Sequence, residues 1–406
     1  MTRQAFGTGA LQVNARAEGP VVACYCATFL KPEMLHIYRQ ITALRRVRPI
    51  VIARKRESED RFPFDDVTTV RKPATHFLRR IWFRQLREIP WMISQGETAE
   101  LIRVLHAKQA QLLHIYFGHI GVHLMPLIRE WQRPSVVSFH GADVMVDLEK
   151  PGYRSATLKM LESVRLVLVR SESLQTALVR LGCAPEKIRI QRAGVPLADF
   201  AFQLRRWPAD GGWRFLQACR LIAKKGLATS LRAFAAFASQ HPAARFTIAG
   251  EGPLLDELRR IARELGVAER VRFTGFVSQP ELRELFYDSH IFLHPSETAP
   301  DGNQEGVPNS MLEAMATGLP VFATTHGGIP EAIESHVSGI LVAERDAAAL
   351  ARELFAGAVE PATLSAIAQR GADAVREKFE QREQVRRLED CYFEAIQLGL
   401  VGAEAG

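Results

Sequence analysis

Short runs rich in Val, Ile, Leu and Phe recur along the whole chain, each separated from the next by a stretch with helical periodicity. Strands joined through helices are parallel, and helices then cover both faces of their sheet, because a tight hairpin cannot connect parallel neighbours. The expected fold class is therefore α/β. Strands are expected at 21–29, 49–53, 112–118, 135–140, 166–170 and 187–191, and again at 214–220, 244–250, 271–276, 290–295, 320–324 and 339–342. A chain of 406 residues exceeds the length at which one core stops growing, so two Rossmann-like units are expected. Between the two sets lies a turn-rich stretch with Val195-Pro196, Trp207-Pro208 and Asp210-Gly211-Gly212. This reading gives a first domain over 1–196, a linker over 197–212 and a second domain over 213–378. A terminal amphipathic helix over 379–406, with Val385, Leu388 and Phe393 on its apolar side, is free to pack back on the first domain.

Composition narrows the partners. Hydrophobic residues at 47% and charged residues at 24% exclude a disordered or fibrous chain. Five cysteines without CxxC spacing make no disulfide framework and fit a reducing, cytoplasmic setting. Cys24 and Cys26 share one face of a strand and read as small buried apolar groups. The early apolar run at 20–30 is too short to cross a bilayer, and the order of a secretory leader does not precede it. The net charge of +7 conceals an asymmetry: residues 1–206 carry 32 basic and 18 acidic side chains, residues 207–406 carry 20 and 27. Such a cationic half meets phosphate, nucleic acid or an anionic membrane surface. Within it, 74–89 interleaves Phe77, Ile81, Trp82 and Phe83 with Arg79, Arg80, Arg84 and Arg87. That pattern suits a helix lying in a membrane interface, and equally a surface helix with solvated arginines.

The chemistry concentrates in the second half. Glu305-Gly306-Val307-Pro308-Asn309-Ser310-Met311-Leu312-Glu313 leads directly into Ala314-Met315-Ala316-Thr317-Gly318. Pro308 suits the first turn of a helix and Gly318 its end, which places Glu313 inside the helix and Glu305 in the loop before it. Carboxylates accept hydrogen bonds from hydroxyls, and a helix N-terminus attracts an anion, so the pattern fits a sugar that carries a phosphate. Upstream, Arg220 and Lys225 follow a strand at the edge where open sheets bind ligands, and could clamp a diphosphate. The next strand ends in Gly250-Glu251-Gly252-Pro253, where small residues admit close backbone approach to a ligand. In the first half, Ser138-Phe139-His140-Gly141-Ala142-Asp143 ends a strand and makes His140 a cleft candidate. His119 and His123 are secondary candidates. No carboxylate cluster with metal-ligand spacing accompanies the diphosphate site, so no metal and no other cofactor is expected.

These motifs, with Gly275-Phe276, Pro295-Ser296 and Gly327-Gly328-Ile329-Pro330-Glu331, run in the order seen in retaining glycosyltransferases of family 4 (glycosyl transferases group 1), which the second half resembles. The form Asn303-Gln304-Glu305-Gly306-Val307-Pro308-Asn309-Ser310 most resembles members that build bacterial exopolysaccharides such as colanic acid. The resemblance implies a GT-B fold, two Rossmann-like domains facing across a cleft. It implies a UDP- or GDP-sugar as donor, and a glycan or lipid-linked glycan as acceptor. Catalytic roles would fall to His140, Glu305, Arg220 and Lys225. Donor contacts would come from Gly250, Gly252, Phe276, Gly306, Val307, Pro308, Asn309 and Glu313, the last at the ribose. The acceptor or membrane side would hold Arg79, Arg80, Arg84 and Asp143, at an anionic membrane surface on the inner face of the cytoplasmic membrane, with no nucleic acid. The family's glycine-rich loop after the first strand is here Ala27-Thr28-Phe29-Leu30-Lys31-Pro32. A nucleotide-sugar epimerase of the same fold and a catalytically silent assembly subunit are the alternative readings. A nicotinamide dehydrogenase is disfavoured, because neither half carries Gly-x-Gly-x-x-Gly followed by an acid.

Overall fold

The structure is a computed structural model that describes residues 19–31, 34–71, 73, 76–83, 89–141, 150–300, 302 and 304–404. Among the described residues thirteen strands form two sheets, and every ladder is parallel. The first sheet comprises β1 (Val21–Phe29), β2 (Arg48–Arg56), β3 (Val67–Thr69), β4 (Leu112–Tyr116), β5 (Ser135–Phe139), β6 (Leu166–Val169) and β7 (Ile188–Ile190). The second comprises β8 (Arg214–Ala218), β9 (Arg245–Ala249), β10 (Val271–Gly275), β11 (Ile291–His294), β12 (Val321–Thr324) and β13 (Ile340–Val342). Their orders, β3-β2-β1-β4-β5-β6-β7 and β10-β9-β8-β11-β12-β13, reverse direction at the same place in each sheet. That switch point, between β1 and β4 and between β8 and β11, opens a crevice at the carboxyl ends of the strands.

The sequence places the strands well and their ends less well. Expected strands overrun by one or two residues into His140, Arg170, Arg220, Gly250 and Phe276, all of which lie beyond the ladders. They are the residues that leave the sheet for the cleft. β3 has no counterpart among the expected strands, because three residues behind Asp65-Asp66 make no recognisable apolar run.

Each sheet is packed on both faces. One face of the first buries Tyr25, Ile50, Ile52, Leu113, Ile115 and Val137 under its helices. The other takes in Val385, Leu388, Cys391, Tyr392 and Ala395 from the terminal helix Gln381–Glu404. The helix Pro361–Phe379 instead packs under the second sheet. Between these two helices Glu380 is extended, and the chain crosses back to the first sheet there. The outgoing crossing runs alongside: Val195 N–H donates to Phe379 O at 2.7 Å and Gln381 N–H donates to Val195 O at 3.0 Å. Both connections therefore pass through one narrow waist.

Candidate active site

The two switch points face each other, and the second sheet supplies most of the polar groups. β8 ends at Ala218, and the chain turns through Ala223–Lys225 to bring Lys225 Nζ to 2.5 Å from Glu305 Oε2. Lys224 Nζ stands 3.8 Å from the same oxygen. All three side chains are largely buried. Burial by itself would raise the Glu305 carboxyl, but Lys225 and then Lys224 outweigh it and hold the group at about 2. Arg220 is exposed just past the end of β8. His294, the last residue of β11, is fully buried beside this pair with neither ring nitrogen hydrogen-bonded. Burial first, then Lys225, pushes it down to about 3, so it is neutral.

The backbone of Glu305 is held from two sides. Its N–H donates to His326 Nε2 at 3.0 Å, and its carbonyl accepts from Gly328 N–H at 3.3 Å. His326 Nδ1 in turn lies 2.6 Å from Glu344 Oε1, and Glu344 also accepts from Thr298 N–H at 2.7 Å. A ring that accepts at Nε2 and donates at Nδ1 is the neutral imidazole. Gly327 has φ +53°, and a Cβ there would fall 2.0 Å from the Glu305 carbonyl oxygen, which accounts for the glycine. Sequence reasoning missed His326 and Glu344. Their only signal was position, each just past a strand of the second sheet.

The helix after this loop spans Asn309–Ala316. Pro308 sits one residue earlier than expected, as the extended N-cap, because a ψ of 126° lies outside the helical range. Ser310 Oγ ties the helix to β8 by donating to Ala218 O at 2.7 Å. Glu313 lies inside the helix, as expected, and is 4% exposed. It is occupied: Arg39 of the helix Leu35–Thr42, from the first unit, reaches its Oε1 at 2.5 Å and Gln279 Oε1 at 2.8 Å. Burial raises the Glu313 carboxyl and Arg39 only partly offsets it.

His140 stands opposite, beyond β5. A Cβ built on Gly306 would lie 3.9 Å from the His140 carbonyl oxygen, so the Glu305 loop and the histidine meet across the cleft. Phe276 presents a half-exposed ring at the cleft edge, with Arg61 of the first unit 4.5 Å from its centroid. Glu331, from the Gly327-Gly328 turn, reaches Arg192 at 3.2 Å and Ser173 N–H at 3.2 Å in the first unit.

Two family models match end to end: Glycosyltransferase Family 4 over residues 35–199 and Glycosyl transferases group 1 over residues 202–356. The chain belongs to glycosyltransferase family 4. Over 249 residues it is 35% identical to the amylovoran biosynthesis glycosyltransferase AmsK of Erwinia amylovora, a match that takes in 61% of each chain. Over 251 residues it is 34% identical to the putative colanic acid biosynthesis glycosyltransferase WcaL of Escherichia coli, covering 62% of each. The matched segment is thus about three fifths of the length of these relatives. Anabaena HepE, solved with UDP and glucose, shares the fold with a TM-score of 0.74 at 18% identity, over 91% of this chain and 98% of that one. The fold is GT-B.

Within this family 4 chain, several expected site residues fall differently. Gly250 and Gly252 do come close to backbone, but the backbone is the chain's own: added Cβ atoms would meet Cys219 O at 1.9 Å and Leu221 O at 2.4 Å. They shape the turn that carries Arg220. Arg79 points inward, 3.3 Å from buried Glu97 and 3.2 Å from Met92 O, and is not a free surface cation. Arg80 is exposed, and so is Trp82. Within the expected helix over 74–89, His76–Ile81 is α-helical and Trp82 and Phe83 continue it as a π-helical turn. Arg84, Asp143 and Asn303 lie outside the described residues. His123 donates through Nδ1–H to Trp91 O, 2.9 Å away, and its ring lies tilted against that indole with centroids 4.1 Å apart. Among the described residues no helix is long and apolar enough to cross a membrane.

Proposed function

We propose that this chain is a hexosyltransferase that moves a sugar from a nucleoside diphosphate to a hydroxyl of a growing, lipid-linked glycan in exopolysaccharide synthesis. The observation that carries the reading is the buried Lys225–Glu305 pair, set at the switch point of one sheet in the loop whose next residue, Gly306, approaches the His140 backbone of the other. Lys225, Lys224 and Arg220 supply fixed positive charge where a departing diphosphate develops negative charge. These cations meet that charge without calling on a metal. Glu305, kept ionised by the same lysines, accepts hydrogen bonds from the sugar's hydroxyls, and Glu313, once Arg39 releases it, accepts from the ribose. Phe276 offers a face to the base.

The transfer proceeds with retention by internal return. The C1–O bond to the diphosphate breaks, the acceptor oxygen bonds C1 on the same face, and the acceptor's proton passes to the departing phosphate oxygen. The donor we infer is a UDP- or GDP-sugar, and the UDP and glucose with which HepE was solved are in keeping with the first of these. The basic first half suits the protein to a peripheral position on the anionic inner face of the cytoplasmic membrane.

Calorimetric titration with UDP-, GDP-, ADP- and dTDP-sugars tests the donor side, with NAD as control. One sugar nucleotide should bind, and Lys225→Ala should weaken it about tenfold or more, the loss expected for one charged hydrogen bond. Binding of none of them, or equal binding to the variant, would contradict the assignment.

A further inference from the structure

The face of the first sheet beneath the terminal helix carries a line of polar side chains that the ion pairs of the cleft do not use. Alternation along a strand puts His114 and Tyr116 of β4 on that face, and Ser138 of β5 with His140 beyond it. Tyr392 Oη lies 2.7 Å from His114 Nδ1. His114 Nε2 lies 2.9 Å from Ser138 Oγ, and Ser138 Oγ lies 2.9 Å from His140 Nε2. Tyr392, His114 and Ser138 are all buried, and the His114 ring stacks on Tyr116 with centroids 4.0 Å apart.

Counting protons along this line restricts it. Burial pushes His114 down to about 3. Burial, then Arg170, His36 and His114, holds His140 well below the usual imidazole range. Both rings are therefore neutral at physiological pH, with one N–H each. The Ser138 hydroxyl has a single proton and stands between two Nε2 atoms, so it donates to one and accepts from the other. It follows that His114 and His140 hold opposite tautomers. A phenol hydroxyl, more acidic than that of serine, is the better donor, which sets the direction from the Tyr392 end: Tyr392 donates to His114 Nδ1, His114 Nε2–H donates to Ser138, and Ser138 donates to His140 Nε2.

We propose that Tyr392, acting through His114 and Ser138, holds His140 as the Nδ1–H tautomer, with the ring's hydrogen-bond donor at Nδ1 rather than Nε2. Tyr392, His114 and Ser138 are positioning residues for a histidine in the cleft. A donor at that place suits a sugar hydroxyl or phosphate oxygen. The relay also gives the returning terminal helix a chemical task beyond covering the sheet. The consequence for substrate rests on the glycosyl-transfer reading, whereas the tautomer itself is observable without any sugar.

The test is nitrogen NMR on the full chain labelled with 15N-histidine, with His140 assigned by the signals lost in His140→Asn and His114 by those lost in His114→Asn. His140 should show a protonated Nδ1 and a bare Nε2, and His114 the reverse. Tyr392→Phe removes one hydroxyl, and Ser138→Ala breaks the line at its middle if the first variant fails to fold. In either, His140 should move toward the Nε2–H form. A wild-type His140 protonated on Nε2, like tautomers on both rings, or a His140 unmoved by both substitutions would overturn the relay. Opposite tautomers in a protein that binds no sugar nucleotide would sink the transfer reading and leave the relay standing.

Discussion

Glu305 sits where two effects oppose each other, and the lysines win. Its carboxyl is held at about 2 in the folded chain against 4.5 unperturbed. A depressed folded value means that the unfolded state binds the proton first, so the stability this group contributes is complete above pH 4.5 and is lost as pH falls toward 2. Between pH 7 and pH 3 the loss from Glu305 alone is on the order of 2 kcal/mol, since each tenfold change in proton affinity corresponds to about 1.4 kcal/mol. Glu305→Gln should therefore be less stable than wild type at pH 7, with the gap closing at pH 3. Thermal midpoints of the two proteins at both pH values check this, and a gap independent of pH would show that the ion pair is not formed. Residues of this kind were half legible. Glu305 and Lys225 stand out in the sequence through motif spacing. Arg39 and His326 do not, because each acquires its role from a partner far along the chain, 274 residues away for Arg39 and 21 for His326.

Elements were easier to read than their ends. Apolar runs identified the strands other than β3, since a parallel strand covered on both faces must be apolar nearly throughout. The run stops being informative where the chain leaves the sheet, and the cleft residues lie at that point. The terminal helix was legible through Val385 and Leu388, but Tyr392 reads as one more core aromatic until its hydroxyl is seen against His114. The Gly327-Gly328 turn is the element on which the Glu305 loop depends. Gly327→Ala forces a Cβ toward the Glu305 carbonyl at a positive φ, so the loop must shift. Sugar-nucleotide affinity should fall at least tenfold while the far-ultraviolet circular dichroism stays unchanged. Unaltered affinity would mean that the loop position does not matter for binding.

At the scale of the whole molecule, the charge asymmetry was plain in the sequence but its use was not. Part of the basic surplus is internal: Arg54 and Arg79 both neutralise Glu97, and Arg192 bridges to Glu331. Reversing Arg79 would thus bury two like charges and confound any membrane assay. Arg80 and Trp82 are the exposed pair. Arg80→Glu with Trp82→Ala should weaken sedimentation with phosphatidylserine vesicles at least fivefold, given about 1 kcal/mol per surface arginine, and unchanged sedimentation would remove this segment from the membrane account. The two-lobed form, the waist at Val195 and Glu380, and the ion pair from Arg39 to Glu313 leave one cleft in which both lobes contribute. Whether that cleft transfers sugar is tested most directly by incubating wild type and Glu305→Gln with the radiolabelled donor identified by calorimetry and a bacterial lipid extract. Wild type should carry label into organic-soluble material, and Glu305→Gln, which keeps Lys225 and the diphosphate site proposed for it, should bind the donor yet lose at least about a hundredfold in transfer, the range seen when one transition-state contact is removed. Equal transfer by the two proteins would contradict the account.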